Sequence, residues 1–317
     1  MKRFAFLFPG QGAQYSGMAV DLLSSDSVKK IFDTASEILG KDIKTLLESD
    51  ADTLKRTDVS QPAITAANLA AAAFLGDKGI RPSACAGFSL GEYAALVCAG
   101  VISAADCLRL VRARGEIMQK AADLLCGGDS ASAPGMAAVT GLDPETAQNL
   151  ISKWRDSADS AERLGGLFAA NINSPKQLVI SGTASALSEA EKRFKEAGAK
   201  RVIRLKVAGP FHSPLMEDAQ KEFLPALEKI CFNDPVMPVF SNVTGGIISS
   251  GAKAKQLAAM HITSPVRWTE EETSIAANGI DACLEAGPGK VLQGLWKDSE
   301  IKIPVYSAGT LEDINSL

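Results

Sequence analysis

The stretch Cys85-Ala86-Gly87-Phe88-Ser89-Leu90-Gly91-Glu92-Tyr93 restricts what this chain can fold into more than any other part of it. A run of small apolar residues reads as a buried strand that stops at Gly87, and a helix-forming run begins at Leu90. Ser89 lies on the bend between them. A strand–Gly-x-Ser-x-Gly–helix turn is a nucleophile elbow. Its glycines lack a Cβ, so the backbone can fold tightly enough to hold the serine hydroxyl out at the top of a sheet. The free N–H groups of the following helix then face the place where an oxyanion forms. The competing reading is a serine that merely caps a helix. The strand before and the helix after it are the context the motif requires, so acyl chemistry on a serine is the expectation.

The rest of the chain keeps the strand-then-helix rhythm that such a turn demands. A strand is expected at 4–8, helices from about 16 to 76, a strand at 84–88, and a helix at 90–99 closed by Gly100. This order predicts a parallel sheet covered by helices on both faces. Residues 126–134 have the small, polar composition of a linker. A self-contained pattern follows: a strand at 135–141, a helix opening near Asp143-Pro144-Glu145, strands at 167–172 and 177–182, a helix at 184–197, and a strand at 200–207. That is β-α-β-β-α-β, the ferredoxin-like unit. Strands resume at about 236–241, 281–285 and 303–307. A small subdomain, 133–206, is therefore expected as an insertion into a larger α/β subdomain formed by 1–132 and 207–317.

Composition narrows the function classes. A net charge of −4 over 317 residues offers no general attraction to nucleic acid or to an anionic membrane. Six scattered cysteines without a Cys-x-x-Cys pair, most of them inside apolar runs, read as reduced core residues of a cytoplasmic protein. Phe4 to Phe8 is too short for a secretion signal and is broken by Pro9-Gly10-Gln11-Gly12, so a first strand is the reading. No segment is long enough to cross a bilayer.

Two histidines, His212 and His261, are the only candidates for a base. His212 sits in Ala208-Gly209-Pro210-Phe211-His212-Ser213-Pro214, a loop stiffened by two prolines. That is how a base is held in one position, and free imidazole titrates near ~6.5, which suits the task. No acid of a triad is marked, and a backbone carbonyl is the alternative partner for the imidazole. Gln11, in the turn that ends the first strand, is the candidate second oxyanion donor beside the Leu90 N–H. Arg114 falls in the apolar stripe set by Cys107, Leu110, Val111, Ile117, Met118, Ala121 and Leu125. A guanidinium on a core face needs an anion. An internal salt bridge with Glu92 and a bidentate grip on a substrate carboxylate are equal readings from pattern alone. Gly287-Pro288-Gly289-Lys290 lacks the spacing of a phosphate loop and reads as a tight turn. The basic residues from Lys192 to Lys206 read as a solvated face, or more weakly as a dock for an acidic partner.

Taken in order, these motifs resemble the malonyl-CoA:acyl carrier protein transacylases and the acyltransferase domains of polyketide synthases. The resemblance spans essentially the whole chain. It runs from Phe8-Pro9-Gly10-Gln11-Gly12 and Gln61-Pro62-Ala63 through the elbow and Arg112-Ala113-Arg114-Gly115. It continues in Phe211-His212-Ser213-Pro214-Leu215-Met216, Pro265-Val266-Arg267-Trp268 and Glu285-Ala286-Gly287-Pro288-Gly289. It implies a Ser–His dyad: Ser89 as nucleophile, His212 as base, Gln11 with Leu90 as oxyanion hole, and Arg114 as the grip on a malonyl carboxylate. It implies a hydrolase-like α/β core with a ferredoxin-like small subdomain, no cofactor or metal, and malonyl-CoA and acyl carrier protein as substrates in fatty-acid synthesis. Gln61 and His261 take supporting places. Phe88 stands where the family usually has His, and His261 where it often has Gln, a residue that orients the catalytic histidine through its main-chain carbonyl. Phe211 resembles malonyl-selective relatives, in which bulk there crowds an α-methyl branch. The rival classes are a serine hydrolase with water as acceptor and a binding subunit that keeps only the fold.

Overall fold

A computed structural model of the chain describes residues 2–127, 133–157 and 164–317. Two four-stranded sheets organise it. The first contains β1 (Phe4–Phe8), β2 (Pro82–Gly87), β7 (Ala282–Glu285) and β8 (Val305–Ser307), in the order β2-β1-β7-β8 with every pair parallel. Alternation along β1 shows why it is covered on both sides. Phe6 and Phe8 join a core with helices α1 (Asp26–Leu39), α3 (Thr57–Asp77), α4 (Gly91–Cys98) and α5 (Ala104–Cys126). Ala5 and Leu7 point the other way, into a core built with α10 (Trp268–Ala277) and α11 (Val291–Asp298). The short α2 (Ile43–Leu47) completes the first group.

The second sheet contains β3 (Gly135–Thr140), β4 (Leu167–Ser174), β5 (Gln177–Gly182) and β6 (Arg201–Arg204). Its order is β4-β5-β3-β6 and its pairs are antiparallel. One face packs on α6 (Pro144–Asp156) and α7 (Ala184–Glu196) through Ala137, Val139, Ile151, Trp154, Leu187 and Phe194. The other presents Met136, Ala170 and Val179 to the main core. The chain is thus an α/β protein with a parallel and an antiparallel sheet.

Several expected elements are shorter or divided. The helical region from 16 to 76 breaks into two 3-10 turns and three α-helices, with Gly40 closing α1 in the left-handed region. The expected strand at 236–241 is absent. Pro235 and Pro238 carry no N–H for a ladder, and Val239 alone forms a parallel bridge to Cys85. The expected strand 200–207 is paired only over Arg201–Arg204, and that at 303–307 begins after Pro304. Leu125, placed in the buried stripe by its spacing, is exposed near the end of α5. Of the six cysteines only Cys85, Cys107 and Cys283 are fully buried, and all six are free. The expected linker begins where α5 is capped by Gly127, and residues 128–132 lie outside the described residues. No helix among the described residues is long and apolar enough to cross a membrane.

Beyond the second sheet the chain returns through α8 (Glu217–Glu228), α9 (Gly251–Met260) and a terminal α12 (Leu311–Asn315). The second sheet is tied to the segment that leads into α10. Ile172 N–H donates to the Val266 carbonyl at 2.8 Å, and Val266 N–H donates to that of Ala170 at 2.8 Å.

Candidate active site

The elbow has the conformation its sequence requires. Ser89 has φ +51°, in the left-handed region that a non-glycine residue enters only under constraint. Gly91 makes this possible, since a Cβ there would collide with the Phe8 carbonyl. The Phe88 N–H donates to that same carbonyl at 2.9 Å, locking the bend to the end of β1.

His212 also has a positive φ, +56°. Its loop is held from both sides: its own N–H donates to the Ile262 carbonyl at 3.1 Å, and the Ser181 hydroxyl donates to the Phe211 carbonyl at 2.5 Å. The imidazole Nε2 lies 2.7 Å from Ser89 Oγ. Nδ1 lies 3.1 Å from the carbonyl oxygens of both His261 and Ser264. Carbonyls only accept, so Nδ1 carries the proton and Nε2 offers its lone pair to the serine hydroxyl. No carboxylate among the described residues takes part. Burial and the positive charge of Arg114 lower the imidazole to about 4, against the opposing pull of the two carbonyls. The ring is therefore neutral at pH 7 and able to accept a proton.

A cavity of about 200 Å³ opens over this pair, between the ends of the parallel strands and the second sheet. Gln11, Gln61, Phe88, Ser89, Leu90, Arg114, Phe211 and His212 all line it, so all but one of the expected site residues face one space. His261 stands behind them. The Leu90 N–H, at the start of α4, and the Gln11 N–H meet no acceptor among the described residues. Their turns are in contact, because a Cβ on Gly10 would sit 3.6 Å from the Leu90 nitrogen. Both donors are thus free, on two turns that meet at the elbow.

Arg114 is 1 % exposed. It makes no ion pair within 4.0 Å of a described carboxylate, while the buried Glu92 carboxyl lies near enough for the two charges to favour each other. Its Nε has no partner, Nη2 lies 3.4 Å from His261 Nδ1, and the guanidinium lies over the Tyr93 ring at 5.6 Å. Glu92 accepts instead from the Asn242 N–H at 2.7 Å, and burial raises its carboxyl to about 7.

Asn242 is a site residue that the sequence reading missed. Fully buried, its Oδ1 accepts the Ser89 N–H at 2.5 Å, and its Nδ2 donates to the Gly87 carbonyl at 2.6 Å and to Glu271 at 2.7 Å. It clamps both sides of the elbow. One signal was available: Asn242 follows the apolar run 236–241, on the same sheet edge as the other turns. Asn171 and Asn173 were also missed. Register shifts in β4 on either side of Ile172 place both on the cavity wall.

This arrangement can make and break an ester on Ser89 while a buried cation waits for an anion at the other end of the cavity. Known proteins resemble the chain over nearly its whole length. The family model described as acyl transferase domain matches residues 5–302. The malonyl CoA-acyl carrier protein transacylase of Bacillus subtilis (strain 168) is 38% identical over 316 residues, covering 99% of this chain and 96% of the relative. Among solved structures, an acyl carrier protein S-malonyltransferase from Vibrio cholerae is 36% identical, with a TM-score of 0.88 and coverage of 99% of both chains. A malonyl-transacylase solved in complex with its holo type II PKS acyl-carrier protein is also 36% identical, with a TM-score of 0.89, covering 99% of this chain and 98% of that one. Likeness of this extent, over a site already assembled from its own residues, leaves one conclusion: the chain belongs to the acyl transferase domain family, among the malonyl CoA-acyl carrier protein transacylases.

Proposed function

We propose that this protein transfers a malonyl group from malonyl-CoA to the phosphopantetheine thiol of acyl carrier protein through a malonyl-serine intermediate. The observation that carries the carboxylate specificity is Arg114, buried in the cavity wall with Nε unpartnered and no described carboxylate in hydrogen-bond contact with it. In the first half-reaction His212 Nε2 takes the Ser89 proton while Oγ attacks the thioester carbonyl. The N–H groups of Leu90 and Gln11 receive the oxyanion. The C–S bond breaks, and His212 returns its proton to the departing CoA sulfur. The carrier thiol then attacks the ester with the same groups in reverse order, so acyl group and proton balance without another reagent. The carbonyls of His261 and Ser264 hold the base, Gln61 supports the cavity wall, and Phe211 limits its width.

In finer terms, the second sheet is a ferredoxin-like small subdomain at 133–206. Support comes from its strand order, which is that of a β-α-β-β-α-β unit. The hydrolase-like core is then 1–132 with 207–317, supported by the elbow on a parallel sheet. A cytoplasmic place in fatty-acid synthesis fits the free cysteines and the family.

Intact mass after mixing with malonyl-CoA tests the reading. A malonyl adduct is expected that is absent in Ser89→Ala and discharged by carrier protein. Release of malonate at the full turnover rate without carrier would make the protein a hydrolase instead. Arg114→Ala removes one partner of a buried charge pair, a loss of about 2–5 kcal/mol, so malonyl loading should fall about thirtyfold or more and acetyl loading much less. An equal fall in both would remove Arg114 from the recognition of the carboxylate.

A further inference from the structure

His261 touches three parts of the site at once. Its main-chain carbonyl accepts from His212 Nδ1 at 3.1 Å. Its side chain, 1 % exposed, reaches the other two: Nε2 lies 3.1 Å from Asn242 Oδ1 and Nδ1 lies 3.4 Å from Arg114 Nη2. The oxygen identity of Asn242 Oδ1 is fixed independently. It accepts the Ser89 N–H, while Nδ2 donates to the Gly87 carbonyl and to Glu271. An amide oxygen only accepts, so the His261 proton sits on Nε2. Nδ1 is then a lone pair aimed at the guanidinium.

We propose that the His261 side chain is a positioning residue for Arg114: as the Nε2–H tautomer oriented by Asn242, it accepts one Nη2 proton through Nδ1 and so holds the fork toward the substrate carboxylate. The proposal rests on the reading of Arg114 as the carboxylate grip. Three features support it. Nη2 finds no other protein acceptor among the described hydrogen bonds, and Nε is left without a partner. The Tyr93 ring, which packs edge-on to His261 at 6.0 Å and lies under the guanidinium at 5.6 Å, limits both groups to this arrangement. Burial beside Arg114 and His212 holds the His261 imidazole well below its usual range, which keeps Nδ1 free to accept. The same residue therefore sets the base through its backbone and the carboxylate fork through its ring, which ties recognition of the acyl end to the reacting end.

Nitrogen NMR of the intact protein tests the tautomer directly, because the chain has only two imidazoles. At neutral pH one Nδ1–H ring (His212) and one Nε2–H ring (His261) are expected, assigned with His212→Ala. Finding His261 as Nδ1–H or doubly protonated overturns the proposal without any variant at position 261. The kinetic test compares malonyl-CoA and acetyl-CoA as donors. His261→Phe keeps the ring and removes both nitrogens, and it should lower the malonyl:acetyl ratio of kcat/KM about tenfold or more. His261→Asn, which keeps an acceptor near the Nδ1 position, should regain most of that ratio. If both variants lose the two activities in parallel, the ring acts only as packing and the proposal fails. Arg114→Ala run alongside separates the two ideas: a selective loss there with a parallel loss at His261 rejects only this proposal, whereas a parallel loss at Arg114 rejects the carboxylate reading itself.

Discussion

The two residues at the reacting centre, Ser89 and His212, share a rare backbone conformation, with φ of +51° and +56°. Left-handed non-glycine residues cost about 1–3 kcal/mol each and persist where the surrounding structure over-determines them. Here the determinants are Asn242 beneath the serine and the Ile262 and Phe211 hydrogen bonds around the histidine. Chemistry at this scale was legible where a residue violated its local pattern. Arg114 broke an apolar stripe, and His212 had a single competitor in the whole chain. Asn242 broke nothing in its own surroundings beyond following the run 236–241, and its partners Ser89 and Glu92 lie about 150 residues away, so its clamp on the elbow emerges only on folding. The base carries a prediction of its own. Burial and Arg114 depress His212 to about 4, so the neutral form needed to accept the serine proton dominates well below the usual imidazole range. The acid limb of kcat/KM for malonyl loading should therefore lie closer to pH 4 than to 6.5, read from initial rates between pH 4 and 8. A limb at 6.5 or above would mean that the ring is more hydrated than its burial indicates.

Between β2 and α4 a whole element boundary is devoted to one hydroxyl. The turn was placed correctly from the two glycines, because a close backbone approach leaves a compositional mark. At 236–241 a β-like apolar run contains Pro238 and follows Pro235, and only Val239 bridges to β2. Pairing depends on donors, and apolar periodicity does not count them. Inserting a methyl at the elbow shows how little room the boundary has. Gly91→Ala would drive its Cβ into the Phe8 carbonyl, and β1 cannot retreat because it is flanked by β2 and β7. Overpacking of this kind costs about 1–3 kcal/mol or more and here must be relieved by opening the turn. We expect Gly91→Ala to lose the malonyl adduct while far-ultraviolet circular dichroism shows the fold retained; full adduct formation would show that the close approach is dispensable.

Across the whole molecule, the site exists because the second sheet closes over the mouth of the first. The two-sheet division was readable from the change in strand rhythm after residue 134. The closure was not, because it depends on the pairing of Ile172 with Val266 and on bulges in β4, neither of which has a local sequence mark. Closing the layers also buries acids whose loss of water outweighs the nearby cations, Arg114 beside Glu92 and Lys290 beside Glu285. Burial raises Glu92 and Glu285 to about 7 and Glu272 to about 8. An unfolded glutamate titrates near ~4.3, so between that value and its folded pKa the unfolded chain has released a proton that the folded chain still holds. Stability from these groups is complete below the unfolded value and drains away as pH rises through 7 and 8. His212 works in the opposite sense: its folded pKa is depressed, so its contribution is intact above 6.5 and is lost only as pH falls toward 4. Between pH 6.5 and 8 the acids therefore set the slope. Urea unfolding should give a lower midpoint at pH 8 than at 6.5, with an unchanged m-value. Glu272→Gln, which keeps the shape of one of these acids without its titration, should flatten that decline. A midpoint that rises over this interval would show that these carboxyls are solvated or paired in the folded protein.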